Sequence, residues 1–366
     1  MTSSIKFDSS SSQSVLPAKK AMAVRLDPYI NLRDQLLAKP AAQKDCSSIR
    51  KPVMIQFLSP DVIQELEEYI CYEDYESCSQ ILQSSLLEDV TMAPYHQLRL
   101  EKALNEFTET AKSKCCLELA YQAISEENFE LANVAVQVGL KSPASAVLMG
   151  ELYVEQGKLF MLEGRFPEAI FSFEKAFKIL EKKPSFAPTN FAICKNLGKC
   201  FIELKRFDLA KQALLKGKTF EIDTEEEPDQ AVDHAWWCYF SGVCFWNEKA
   251  FAEVKDHLLQ ADLSVLELFA DDDQIAYLNL LGSSYLAIND SANAIYCFKN
   301  SIKMCKPNSD LLRNTEYLLA LAYKDSGNYE MAIAKCQELL THINTPEIAT
   351  LLDNCKHLHL SQIIYD

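Results

Sequence analysis

The feature that most constrains this chain is a frame of small and aromatic residues that returns along most of its length. The segment YVEQGKLFMLEGRFPEAIFSFEKAFKIL, from Tyr153, carries Gly157, Phe160, Gly164, Phe166, Ala169, Phe173 and Ala176. The same order recurs as Gly198, Phe201, Phe207, Ala210, Leu214 and Gly217, and again as Gly242, Phe245, Phe251, Val254, Leu258 and Ala261. It returns as Gly282, Tyr285, Asn289, Ala294, Phe298 and Ser301, then as Ala320, Tyr323, Gly327, Tyr329, Ala332, Cys336 and Leu339. A fainter upstream copy has Ala120, Phe129, Ala132, Val136 and Gly139, and a weaker one surrounds Tyr75 and Cys78. Small residues at fixed places let two antiparallel helices approach closely, and aromatics fill the space between neighbouring pairs. Such a unit cannot bury its apolar face alone, so the copies must stack.

Composition agrees with an all-helical reading. Only 9 glycines in 366 residues argue against an all-β fold, which needs many tight turns. A hydrophobic share of 48% with 24% charged residues is that of a folded chain. No run of 18 apolar residues and no signal-peptide core is present, so the expectation is a soluble cytoplasmic protein with no membrane contact. The 13 cysteines are odd in number, and Cys116, Cys194 and Cys238 share one place in the frame, which reads as reduced packing thiols.

The frame resembles that of the tetratricopeptide (TPR) superfamily. There, Gly or Ala stands at position 8, aromatics at 11, 17 and 24, Gly or Asn at 15, and Ala at 20 and 27. The likeness covers residues 110–343, with traces from Ser59. It implies an all-α, right-handed superhelical solenoid of six to seven helix pairs. Residues 58–343 form it, divergent over 58–142 and regular over 143–343, and a capping helix from Pro346 to His359 follows within 344–366. Successive position-8 residues, from Ala120 to Ala320, lie 37, 41, 44, 40 and 38 apart, against about 34 in the usual TPR. This spacing resembles that of cell-polarity adaptors, kinesin light chains and axonemal docking proteins. LGKCFIELKRF is similar to the TPR subunit of the outer dynein arm docking complex, which extends the expectation to a cytoskeletal or ciliary assembly. The excess length is expected as longer helices or as loops on one edge. Pro143, Pro184 and Pro307 are placed just after B helices, and Pro167 in the first turn of one.

In this family, positions 2, 5, 9 and 12 of helix A line a concave groove, and their spacing puts them on one helical face. The copies offer Glu151, Val154, Lys158 and Met161; Ala192, Lys195, Lys199 and Ile202; and Trp236, Tyr239, Val243 and Trp246. The last two offer Asn279, Ser283 and Leu286, then Asn314, Tyr317, Leu321 and Lys324. The candidate partner site is Lys158, Lys195, Lys199, Trp236, Tyr239, Trp246, Asn279 and Tyr317. Lysines beside large aromatics suit a peptide or helix with acidic and apolar side chains. The competing reading is that Trp236, Tyr239 and Trp246 are covered by longer helices or by the chain's own N-terminal arm.

The chaperone-type carboxylate clamp is absent, because Phe240, Ala276 and Leu280 stand where its polar residues belong. There is no P-loop, no G-x-G-x-x-G and no G-x-S-x-G, and His357 and His359 face different sides of a helix. Neither catalysis, a cofactor nor a metal is expected. The chain reads instead as a non-catalytic scaffold or adaptor. Residues 1–57 hold nine Lys/Arg against four Asp/Glu, a net of +5, and read as a flexible basic arm for an acidic surface. That leaves −21 for the remainder, which disfavours the alternative of single-stranded RNA in the groove.

Overall fold

The computed structural model describes residues 58–87, 93–105, 107–142, 145–343 and 345–365. The arm 1–57 and Pro143 lie outside these. The described residues are helical with no β-strand, and they fall into two compact units that meet at Ile222–Asp223.

In the unit spanning 58–222, helix α1 (Pro60–Cys71) turns into α2 (Tyr75–Leu87), and α3 (Ala93–Ala103) follows. Three regular pairs come next: α4 (Glu109–Ser125) with α5 (Phe129–Lys141), α6 (Ala146–Leu162) with α7 (Phe166–Leu180), and α8 (Ala187–Glu203) with α9 (Phe207–Gly217). The unit spanning 223–366 holds α10 (Pro228–Asn247) with α11 (Phe251–Leu258), α12 (Asp271–Ala287) with α13 (Ser291–Met304), and α14 (Asp310–Asp325) with α15 (Tyr329–His342). Helix α16 (Pro346–Tyr365) closes it against α15 through Ile348, Leu351, Leu352 and Cys355.

The frame is visible as packing. A Cβ built on Gly157 would lie 2.6 Å from Phe173, one on Gly198 2.7 Å from Leu214, and one on Gly282 2.7 Å from Phe298. Each contact joins position 8 of helix A to position 24 of helix B, so the small residue exists because the facing side chain occupies its place. At Gly242 the contact with Leu258 is looser, 3.3 Å. Ala120 and Ala320 take the same place fully buried.

Position 15 is left-handed in every regular pair. Gly164 and Gly327 have φ of 73° and 78°, and Glu127, Lys205, Lys249 and Asn289 have φ between 58° and 65°. The next residue's N–H reaches back to the carbonyl of position 11, as in Arg165 to Phe160 at 2.8 Å and Asn328 to Tyr323 at 2.9 Å. This closes the end of helix A and starts helix B at once. Asn128, Asp290 and Asn328 then cap their B helices through the side chain.

The same turn identifies the weakest copy. Glu73 has φ 57° and Asp74 N–H bonds Tyr69 O at 3.0 Å, so α1 and α2 form a seventh hairpin in frame. Its position 8 is Leu66 and its position 24 is Leu82, both fully buried, in place of a small–large pair. Helix α3 is an insertion after it. Arg99 of α3, itself buried, donates to Ser85 O at 2.7 Å and Leu86 O at 3.3 Å, and so caps the end of α2.

The expected prolines sit as chain chemistry requires. Pro184 opens a 3-10 turn (Pro184–Phe186) after α7, Pro307 follows α13, and Pro167 lies in the first turn of α7. The connector before Asp271 is not a protruding loop throughout. Leu263–Leu268 form a 3-10 helix that packs on α10, and Leu266 and Phe269 are buried. The capping helix differs too. Expected to His359, it runs to Tyr365 with Leu360, Ile363 and Ile364 exposed.

Candidate functional site

The A helices of the first unit, α4, α6 and α8, lie side by side and present one partly open face. Its first part is built from Glu118, Tyr121, Glu151, Glu155 and Lys158. Tyr121 is 38% exposed, and the Lys158 ammonium stands 5.8 Å from its ring centre. Glu155 is almost fully buried beneath, ion-paired with Lys158 at 2.8 Å. Burial pushes the Glu155 carboxyl above the ordinary glutamate range, while Lys158 pulls it back. Glu151 is raised by burial and then by Glu118 and Glu155, and Glu118 by burial and Glu76. Burial and the three carboxylates together push the Tyr121 hydroxyl up. The next A helix, α8, presents Lys195 and Lys199, both partly exposed. The face therefore steps from carboxylates to lysines across consecutive helices.

Sequence reasoning found the lysines and Glu151 and missed Glu118 and Glu155. Glu118 and Glu155 occupy position 6, one residue off the stripe of positions 2, 5, 9 and 12. Two acids at position 6 of successive A helices were the available signal. Lys158, expected to offer its charge to a partner, is instead neutralised at the surface by Glu155.

In the second unit, the aromatic residues expected on an open groove are packing. Trp236 stacks on Phe269 with centroids 4.7 Å apart and planes 8° apart, and on Phe240 at 5.4 Å. Tyr239 is 4% exposed and meets the Trp236 ring edge-on at 5.7 Å. Trp246 is half-buried against Phe251 at 4.8 Å. Asn279 is buried, donating to Thr315 Oγ1 at 2.8 Å and accepting from Ser301 Oγ at 3.0 Å. Tyr317 is buried in the core with Leu318 and Leu351. So Tyr239, Asn279 and Tyr317 are not surface groups, and Trp236 is covered by the 3-10 segment that its own repeat inserts. That segment lies in the 40-residue step from Gly242 to Gly282, and it covers the aromatic face instead of protruding as a loop.

The thiols behave as packing residues. Cys116, Cys194 and Cys238 are buried and free, and burial pushes each up to about 12. Among the described residues, no cluster of His, Cys, Asp and Glu could hold a metal, and no helix is long and apolar enough to cross a membrane.

No protein-family model matches the chain, and no curated protein matches it. Solved structures similar to it include pilF of Pseudomonas aeruginosa, at 16% identity over 67% of this chain and 99% of that one, with a TM-score of 0.49. PilW, described as a widely conserved type IV pilus biogenesis factor, shares 16% identity over 66% of this chain and 98% of that one, TM-score 0.46. YrrB, described as a TPR protein with an unusual peptide-binding site, shares 18% over 58% and 95%, TM-score 0.39.

Proposed function

We infer that this chain, a tetratricopeptide-repeat protein by the geometry of its hairpins, is a non-catalytic interaction scaffold. Its first unit holds a partner peptide or helix on the face of α4, α6 and α8. The carrying observation is the charge step on that face. The partly exposed Glu118, Glu151 and Tyr121 lie on α4 and α6, and Lys195 and Lys199 follow on α8. A segment lying across the three helices would place basic or hydrogen-bonding groups on the first part and acidic groups on the second. Tyr121 supplies a rigid amphipathic surface within the first part. Such charges set orientation and encounter rate more than affinity.

The test is purification of the native complex, followed by calorimetry and stopped-flow binding of the identified partner. Lys195→Glu with Lys199→Glu should slow association and change its salt dependence, with the melting curve unchanged. Binding identical to wild type would move the site elsewhere. Retention of single-stranded RNA at moderate salt would favour the nucleic-acid reading instead.

The likeness of spacing to axonemal docking proteins extends the proposal to a subunit of a cytoskeletal or axonemal assembly in the cytoplasm. The basic segment 1–57, outside the described residues, is proposed as its attachment arm to an acidic surface. Its deletion should weaken attachment at physiological salt and leave the melting temperature unchanged, and localisation of the tagged chain tests the assembly.

A further inference from the structure

A second surface stands on the B helices of the same unit, and it differs in sign from the chain as a whole. Residues 175–218 hold eleven Lys/Arg against three Asp/Glu in a protein of net charge −16. On α7, Phe171, Lys175, Lys178 and the following Lys182 recur at helical spacing and share one stripe. Phe171 is 59% exposed. The Lys175 ammonium lies 4.3 Å from its ring centre and 4.7 Å from that of Tyr153, so this aromatic–cation pair is fixed in place. On α9, Leu215 is 56% exposed beside Lys218.

The C-terminal ends of the two helices are tied together by Phe177 of α7 and by Phe220, which follows α9. Phe177 and Phe220 meet edge-to-face with centroids 5.9 Å apart. Lys216 lies over both rings and pairs with Glu181 at 2.7 Å. That bridge uses one of the few local carboxylates. Lys178, Lys182 and Lys218 have no ion pair among the described residues. A run of lysines alone is an ordinary solvated face, but an exposed phenylalanine and an exposed leucine on the same helices as unpaired lysines are not what solvation asks for.

We propose that the outward face of α7 and α9, with Phe171 and Leu215 as apolar anchors among Lys178, Lys182 and Lys218, docks an acidic amphipathic segment of another protein. The occupant follows from charge complementarity. Glutamates or aspartates meet the three lysines while apolar side chains cover Phe171 and Leu215. This site is separate from the A-helix face, and the two can fail independently.

The experiment uses the full chain and fluorescence anisotropy. The probe is a fluorescein-labelled synthetic helix with leucines on one side and glutamates flanking them. Its glutamine analogue and a single-stranded oligouridylate serve as comparisons. Wild type binds the glutamate probe with affinity that falls as salt rises. Lys178→Glu with Lys182→Glu and Lys218→Glu lowers it about tenfold or more. Phe171→Ser with Leu215→Ser weakens it without changing the salt slope, and Lys195→Glu with Lys199→Glu leaves it within about twofold. All substituted side chains are exposed or at a helix surface, and a circular dichroism spectrum matching wild type certifies the fold. Three results overturn the proposal: full binding by the triple lysine variant, equal binding of the glutamine analogue, or tighter binding of the oligouridylate. Loss confined to the Lys195/Lys199 variant also overturns it, and assigns the probe to the A-helix face.

Discussion

A Cβ placed on Gly198 would stand 2.7 Å from the Leu214 side chain, the distance at which one of the two must move. Leu214 is itself 2% exposed and cannot swing into solvent. Gly198→Leu should therefore destabilise the chain by about 1–3 kcal/mol through overpacking. Gly242→Ala, where the corresponding gap to Leu258 is 3.3 Å, should cost clearly less. Urea denaturation of both variants checks the order, and equal midpoints would show that position 8 is not held by position 24.

Lys205 and Lys249 occupy the left-handed turn with φ of 59° and 62°, where Gly164 and Gly327 sit in other repeats. A side chain at such a φ costs about 1 kcal/mol, part of which glycine returns in unfolded-state entropy. Lys205→Gly should raise stability by about 0.5 kcal/mol, and Gly164→Ala should lower it by about 1 kcal/mol. The pair is read by thermal melts, and a drop on Lys205→Gly would mean that its side chain contributes more than its strain costs.

Trp236 is a packing residue of the second unit, stacked on Phe269 at 4.7 Å. Trp236→Ala should lower stability by about 2 kcal/mol or more, since large buried aromatics commonly cost 3–5 and this one is only half-buried. The substitution should also release the Leu263–Leu268 segment, seen as faster amide exchange there. A wild-type melt with normal exchange would show the indole to be dispensable for the fold.

The Glu118–Glu151–Glu155 cluster gives the first unit a pH signature. Burial raises all three carboxyls above the ordinary glutamate range, so the folded chain binds protons more readily than the unfolded one. Stability from these groups is then present below the unfolded pKa and is lost as pH rises through the folded values. Stability should thus increase as pH falls from neutral toward 4.5. Glu151→Gln should melt higher at neutral pH and lose part of that slope. An unchanged slope would mean that Glu151 keeps its proton equilibrium on folding.

The sequence by itself determined the helix pairs, their order and their register. Position 8 must be small wherever position 24 is large, and that rule is local, within one hairpin of about thirty residues. In α1 and α2 that rule fails, with Leu66 at position 8 and Leu82 at position 24, and the pair is identified by the left-handed turn at Glu73. What only the tertiary structure decided is which faces remain open. Burial of Trp236 depends on Phe269, which lies 33 positions further along in a connector without periodicity. The neutralisation of Lys158 depends on Glu155, one place off the expected stripe. The tie between the ends of α7 and α9 depends on Phe177 meeting Phe220. Register is set by contacts close in sequence and repeats its signal, whereas exposure is set by single contacts between distant residues, and a single contact leaves no period to read.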